Sequence, residues 1–143
     1  MLFRSDVTGS GASAFSNSGA AGFTTTAGTG TGTIKMSSAS AKTFAGNGFT
    51  YNCTLDQGGA GALTINGSNT FDNITASYTA TAACSILFKP NSTTIFNNWN
   101  ASGAVGKLLT VGSDSAGQVT FSKSSGTVSA DYLSLSKIGR AHV

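Results

Sequence analysis

The chain has 143 residues, of which 9% are charged: eight Lys and Arg, five Asp, no Glu and one His, against roughly a quarter in ordinary globular domains. Arg4, Arg140 and His142 all sit at the ends, which leaves six Lys against five Asp between them and no basic stripe for a nucleic-acid backbone. No apolar run reaches the roughly 18 residues of a membrane-spanning helix. Without a central His, Arg or Glu, neither a Ser-His-Asp nor a Cys-His nor a His-rich metal constellation can be assembled, so no catalytic residue, cofactor or metal site is expected.

In chain order, Leu2-Phe3-Arg4-Ser5 back-translates to CTC TTC CGA TCT and Ile138-Gly139-Arg140-Ala141-His142-Val143 to ATC GGA AGA GCA CAC GTC. Both resemble sequencing-adapter ends. Residues 1–7 and 138–143 are therefore expected to be adapter-derived parts of a metagenomic fragment, set aside from fold reasoning. Residues 8–33 form a Gly/Ala/Ser/Thr lead-in with Phe15 and Phe23 as its large apolar side chains, read as a loosely packed approach to the regular part.

From Ile34 the apolar period becomes two. Phe49, Tyr51, Cys53 and Leu55 alternate with polar residues and define one face of a strand. The Gly-rich stretch Gln57-Gly58-Gly59-Ala60-Gly61 breaks that strand, and Ala62-Leu63-Thr64-Ile65 closes at the turn dipeptide Asn66-Gly67. The grammar repeats through Phe71 and Ile74, Cys84 to Phe88, Ile95 to Trp99, Leu108 to Val111, Val119 to Phe121 and Tyr132 to Leu135. No window carries a capped 3.6-residue period. Phe44, Phe71 and Phe96 recur at intervals of 27 and 25, and self-similarity on that scale signals stacked repeats. The expected fold is all-β, a parallel β-helix of roughly 25 residues per repeat over 34–137, with a β-sandwich as the alternative. Phe44, Phe71 and Phe96 are expected to form one inward ladder, with Ile74, Trp99, Ile65, Phe88 and Val111 as further core members.

The residues able to carry chemistry are few. Asp56 and Asp72 would be the acid and base of a β-helix glycosidase, which requires carboxyl groups about 6.5–9.5 Å apart in an inverting enzyme, but a turn residue bonding local backbone is the commoner role for such an Asp. Trp99, flanked by Asn97, Asn98 and Asn100, is either a sugar-stacking platform or, by its match to Ile74, part of the core. Cys53 and Cys84, both inward by alternation, form either a disulfide across adjacent coils or two buried thiols.

The segments Leu63-Thr64-Ile65-Asn66-Gly67-Ser68-Asn69-Thr70-Phe71-Asp72-Asn73-Ile74, Asn97-Asn98-Trp99-Asn100-Ala101-Ser102-Gly103 and Ser122 to Leu135 resemble repeat modules of phage-associated and bacterial surface proteins. The resemblance spans roughly residues 40–137. It implies a parallel β-helix in a tail-like appendage or adhesin that is extracellular, on the cell surface or on a virion. With it goes the expectation of a non-catalytic structural or receptor-binding role with surface glycans as partners; the charge balance adds no nucleic-acid partner, and the lack of a long apolar run no membrane span. Two other readings stay open: a fragment of a β-helix polysaccharide lyase or hydrolase, and a self-assembling extracellular fibre built by homo-oligomeric, end-to-end contact.

Overall fold

A computed structural model describes residues 4–18, 32–123 and 125–142. Among them are strands β1 (Arg4–Val7), β2 (Gly11–Ser16), β3 (Gly32–Met36), β4 (Lys42–Ala45), β5 (Thr50–Gln57), β6 (Leu63–Asn66) and β7 (Thr70–Thr75). A 3-10 turn over Ser77–Ala80 separates these from β8 (Cys84–Phe88), β9 (Thr93–Asn100), β10 (Leu109–Ser113), β11 (Val119–Lys123), β12 (Leu133–Ser136) and β13 (Ile138–His142).

Odd-numbered strands form a seven-stranded sheet in the order β1-β3-β5-β7-β9-β11-β13, and even-numbered strands a six-stranded sheet, β12-β10-β8-β6-β4-β2. Each pair of neighbouring strands is parallel. The chain thus crosses from one sheet to the other and back once per coil, a parallel β-solenoid with roughly 24-residue spacing. A sandwich of hairpins is ruled out, because hairpins impose antiparallel neighbours.

Period-two alternation sends every second side chain between the sheets, and the burial of β3, alternating buried and half-buried from Gly32 to Met36, follows it. In the seven-stranded sheet Ile34, Leu55, Ile74 and Trp99 lie in register, beside a column of Tyr51, Phe71 and Phe96. In the six-stranded sheet Phe15, Phe44, Ile65 and Phe88 form one column and Lys42, Leu63, Ile86 and Val111 the other. All the apolar residues in these columns except the half-buried Phe15 are buried.

The expected single ladder of Phe44, Phe71 and Phe96 is corrected here. Phe44 stands on the six-stranded sheet and faces Phe71 across the core, ring centroids 5.4 Å apart, whereas Phe71 and Phe96 pair in register on the other sheet. Coil length varies: the partner of Phe44 one coil on is Ile65, and that of Ile86 is Val111. A 27-residue interval therefore overshoots one coil and lands on the opposite wall. Strands also extend past the expected repeat limits of 34 and 137, since β1 and β2 pair with β3 and β4, and β13 pairs with β11. Of the lead-in, Phe23 and Thr29 to Thr31 lie outside the described residues.

Turns stack on turns, and this dictates where Gly must stand. A Cβ on Gly61 would lie 2.0 Å from the carbonyl oxygen of Ser40 in the coil below, and one on Gly59 would lie 2.3 Å from that of Ser38. Both obstacles are backbone, so relief requires the coils to separate. Gly61→Ala is expected to cost about 1–3 kcal/mol in chemical denaturation, the range for overpacked sites; an unchanged midpoint would refute the close approach. At the next corner, the fully buried Asn69 donates to the carbonyls of Asn66 and Gly67, both at 3.0 Å, and accepts from Gly48 N, also at 3.0 Å. That side chain satisfies backbone groups which the corner leaves unpaired.

Candidate functional site

The outward face of the seven-stranded sheet repeats Thr and Asn in register: Thr33, Thr54, Asn73 and Asn98 in one row, and Lys35, Asp56, Thr75 and Asn100 in the next. The alternation that aims Ile34, Leu55, Ile74 and Trp99 inward puts these polar neighbours outside. The 3-10 turn folds back over the edge of this face, held by the Thr79 hydroxyl donating to Ala76 O at 2.7 Å. Between turn and sheet lies an open groove of about 680 Å³ whose walls include Thr54, Asp56, Asn73, Thr75, Asn100 and Ser102.

Asp56 anchors the groove. It points outward yet is buried, because the turn covers it. Thr75 Oγ1 and Ser77 N donate to one carboxylate oxygen at 3.0 and 2.9 Å, and Ser77 Oγ donates to the other at 2.6 Å. A carboxylate so engaged ties the turn to the sheet. One amide pair links the two rows, with Asn100 Nδ2 donating to Asn73 Oδ1 at 3.2 Å. At the rim, Lys107 Nζ donates to Ala80 O at 2.8 Å.

Asp72, the other half of the expected acid–base pair, is not on the groove wall; it accepts from Asn97 Nδ2 at 2.9 Å. Among the described residues no group of three His, Cys, Asp or Glu is placed to hold a metal ion, and no helix is long and apolar enough to cross a membrane. Asp114 is bound by the Lys89 ammonium of the preceding coil at 2.6 Å and by Ser115 Oγ at 2.9 Å. Burial works against its charge, but those two hydrogen bonds prevail and hold its pKa below the ordinary carboxylate value.

Trp99 is not a platform for sugars. It is buried beside Phe96 and Phe121, and its Nε1 donates to Ala101 O at 2.9 Å. Cys53 and Cys84 are both free and buried, so the possible disulfide gives way to two thiols: Cys53 lies on β5 of one sheet and Cys84 on β8 of the other. Neither family models, curated proteins nor solved structures match this chain.

Two buried groups escaped the sequence reading. Lys42, 1% exposed, runs along the core and donates from Nζ to the carbonyls of Ser38 at 3.0 Å and Gly61 at 2.6 Å. Gln57 donates from Nε2 to the same Gly61 carbonyl at 2.8 Å and to Ser85 O at 3.0 Å. The signal for Lys42 was present, since it stands two residues before the inward Phe44 on the same strand.

Proposed function

We propose that this solenoid is a non-catalytic structural or receptor-binding segment of a phage tail-associated or bacterial cell-surface protein, acting outside the cell, whose outer face makes weak contacts with surface glycans. The observation that carries the reading is the in-register Thr/Asn row bordering an open polar groove. Hydroxyls and amides at regular strand spacing are suited to the hydroxyl-rich edge of an oligosaccharide, and each such bond exchanges for one to water at a net gain of only about 0.5–1.5 kcal/mol. Useful affinity then comes from many copies of the contact along one surface. The resemblance of residues 40–137 to appendage and surface modules supports the cellular setting. The sealed Asp56 and the separately bound Asp72 favour adhesion over hydrolysis.

Immobilised protein incubated with a panel of neutral and acidic bacterial glycans tests this reading. Retention of at least one neutral glycan is expected, with no shorter oligosaccharide released, and Asn73→Ala with Asn100→Ala should lower retention several-fold. Absence of retention across the panel would remove the glycan reading, and released oligosaccharide would replace it with the lyase or hydrolase reading.

A further inference from the structure

The sequence holds two Asn-Gly dipeptides, Asn47-Gly48 and Asn66-Gly67, and the corners that carry them stack on one another. Gly67 has a φ of 96°, and a Cβ there would lie 2.8 Å from Gly48 N and 3.1 Å from Asn47 N. Only glycine fits so close and left-handed a position, so the stacking leaves no side chain to shield the peptide bond after Asn66. The two dipeptides are held differently. Gly48 N donates to Asn69 Oδ1 at 3.0 Å, and the Asn47 carboxamide donates to Asn17 O. Asn66, by contrast, is exposed at the end of β6, and among the described residues neither its carboxamide nor Gly67 N has a hydrogen-bond partner. What the corner does use is the Asn66 carbonyl, which accepts from Gly46 N of the coil below at 3.1 Å and from Asn69 Nδ2 at 3.0 Å.

We infer that Asn66 is a site of spontaneous deamidation selected by the fold, whereas Asn47, with the same neighbour in sequence, is protected by it. Gly67 N, losing its proton to hydroxide, attacks Asn66 Cγ. The N–Cγ bond forms, the Cγ–Nδ2 bond breaks, and Nδ2 takes a proton from water and leaves as ammonia. Water then opens the cyclic imide at one of its two carbonyls. Opening at the side-chain carbonyl gives aspartate; opening at the main-chain carbonyl gives isoaspartate. In the isoaspartyl product the main chain runs through Asn66 Cβ and Cγ, one carbon longer, and the former main-chain carbonyl becomes a pendant carboxylate. The acceptor shared by Gly46 N and Asn69 Nδ2 is thereby displaced. Backbone groups at the corner lose their partners, and the clamp between this coil and the one below opens. Modification at Asn66 is thus an ageing event that loosens the solenoid from within its regular part. It is independent of the glycan reading, since neither Asn66 nor Gly67 is on the wall of the polar groove.

Chymotryptic cleavage after Phe44, Phe49, Leu63 and Phe71 places the two dipeptides on separate peptides, so each can be followed by mass spectrometry. Folded protein incubated at mildly alkaline pH and physiological temperature is expected to convert Asn66 at least tenfold faster than Asn47. Conversion is read as replacement of the amide NH2 by OH in the peptide mass, and its isoaspartyl share by enzymatic methylation. In urea-unfolded protein, where neither corner exists, the two sites should convert at similar rates. The aged parent should unfold at lower urea than fresh protein. Asn66→Gln, whose larger imide ring closes far more slowly, should keep its own fresh midpoint through the same incubation. An unreactive Asn66 in the folded protein, equal folded rates or faster conversion of Asn47 would overturn the assignment. So would the same preference persisting after unfolding, because sequence rather than the corner would then select the site. An aged parent with an unchanged midpoint would refute the opened clamp.

Discussion

Phe71→Ala is expected to lower the free energy of unfolding by about 3–5 kcal/mol, the range for removing a buried aromatic side chain and leaving a cavity. Phe71 is 1% exposed and sits where both walls of the core meet. Its ring stacks on Tyr51 in its own sheet, with centroids 5.6 Å apart and planes at 19°, and meets Phe44 of the facing sheet nearly edge-on at 5.4 Å. Phe96 continues the column on the next coil. Relaxation is hindered on every side, because Tyr51 is held by its hydroxyl donating to Gly46 O at 2.6 Å, and the strands are fixed in register. Urea denaturation of the variant and the parent measures the loss directly. Thr70→Ala, one residue earlier on the outward face, is the control and should cost less than 1 kcal/mol, as surface changes do. A loss below 1 kcal/mol for Phe71→Ala would contradict the packed two-walled core.

The solenoid was legible because its two determinants are local. The alternation from Phe49 to Leu55 and the turn at Asn66-Gly67 each specify backbone conformation within a few residues, and repetition of the pair implies stacking. Which wall a residue joins is not local: it depends on the length of the turns, and these differ from coil to coil. The interval from Phe44 to Phe71 consequently suggests one ladder, whereas the register partners of Phe44 are Phe15 and Ile65.

The groove was less legible for a related reason. Ser77–Ala80 lies in a Thr/Ala-rich stretch with no apolar period, so nothing marked it as the turn that buries Asp56. Asp56 itself follows Leu55 on the outward face, where alternation predicts exposure. Tertiary cover reversed that expectation, and the carboxylate holds the cover in place. The same logic applies to Lys42, whose charge suggests solvent but whose position in the alternation places it inside. A strand pattern outranks the polarity of one residue when the long side chain can carry its ammonium to backbone carbonyls at the corner.

Buried ionisable groups give this protein two opposed pH responses. Burial lowers the Lys42 pKa from 10.5 to about 8, with the nearby Cys84 opposing the change. A lysine whose folded pKa is depressed binds fewer protons folded than unfolded between those values, so its contribution to stability rises with pH from about 8 to 10.5. Cys53 acts in the other direction: burial first, then the Asp72 carboxylate, pushes its thiol from 9.0 up to about 12. The folded state then holds a proton that the unfolded state releases, and stability falls as pH rises above 9. Three pH units at 1.36 kcal/mol each set the full loss by pH 12 at about 4 kcal/mol. Cys84 and Tyr51, both raised chiefly by burial, add to that fall. Unfolding free energy measured in urea is therefore expected to climb modestly between pH 7.5 and 9 and to drop beyond 9.5. Lys42→Met should flatten the climb and leave the drop, whereas Cys53→Ala should shrink the drop and leave the climb. A parent curve that falls steadily from pH 7.5, with Lys42→Met parallel to it, would show that the Lys42 ammonium is solvated in the folded protein rather than held among backbone carbonyls in the core.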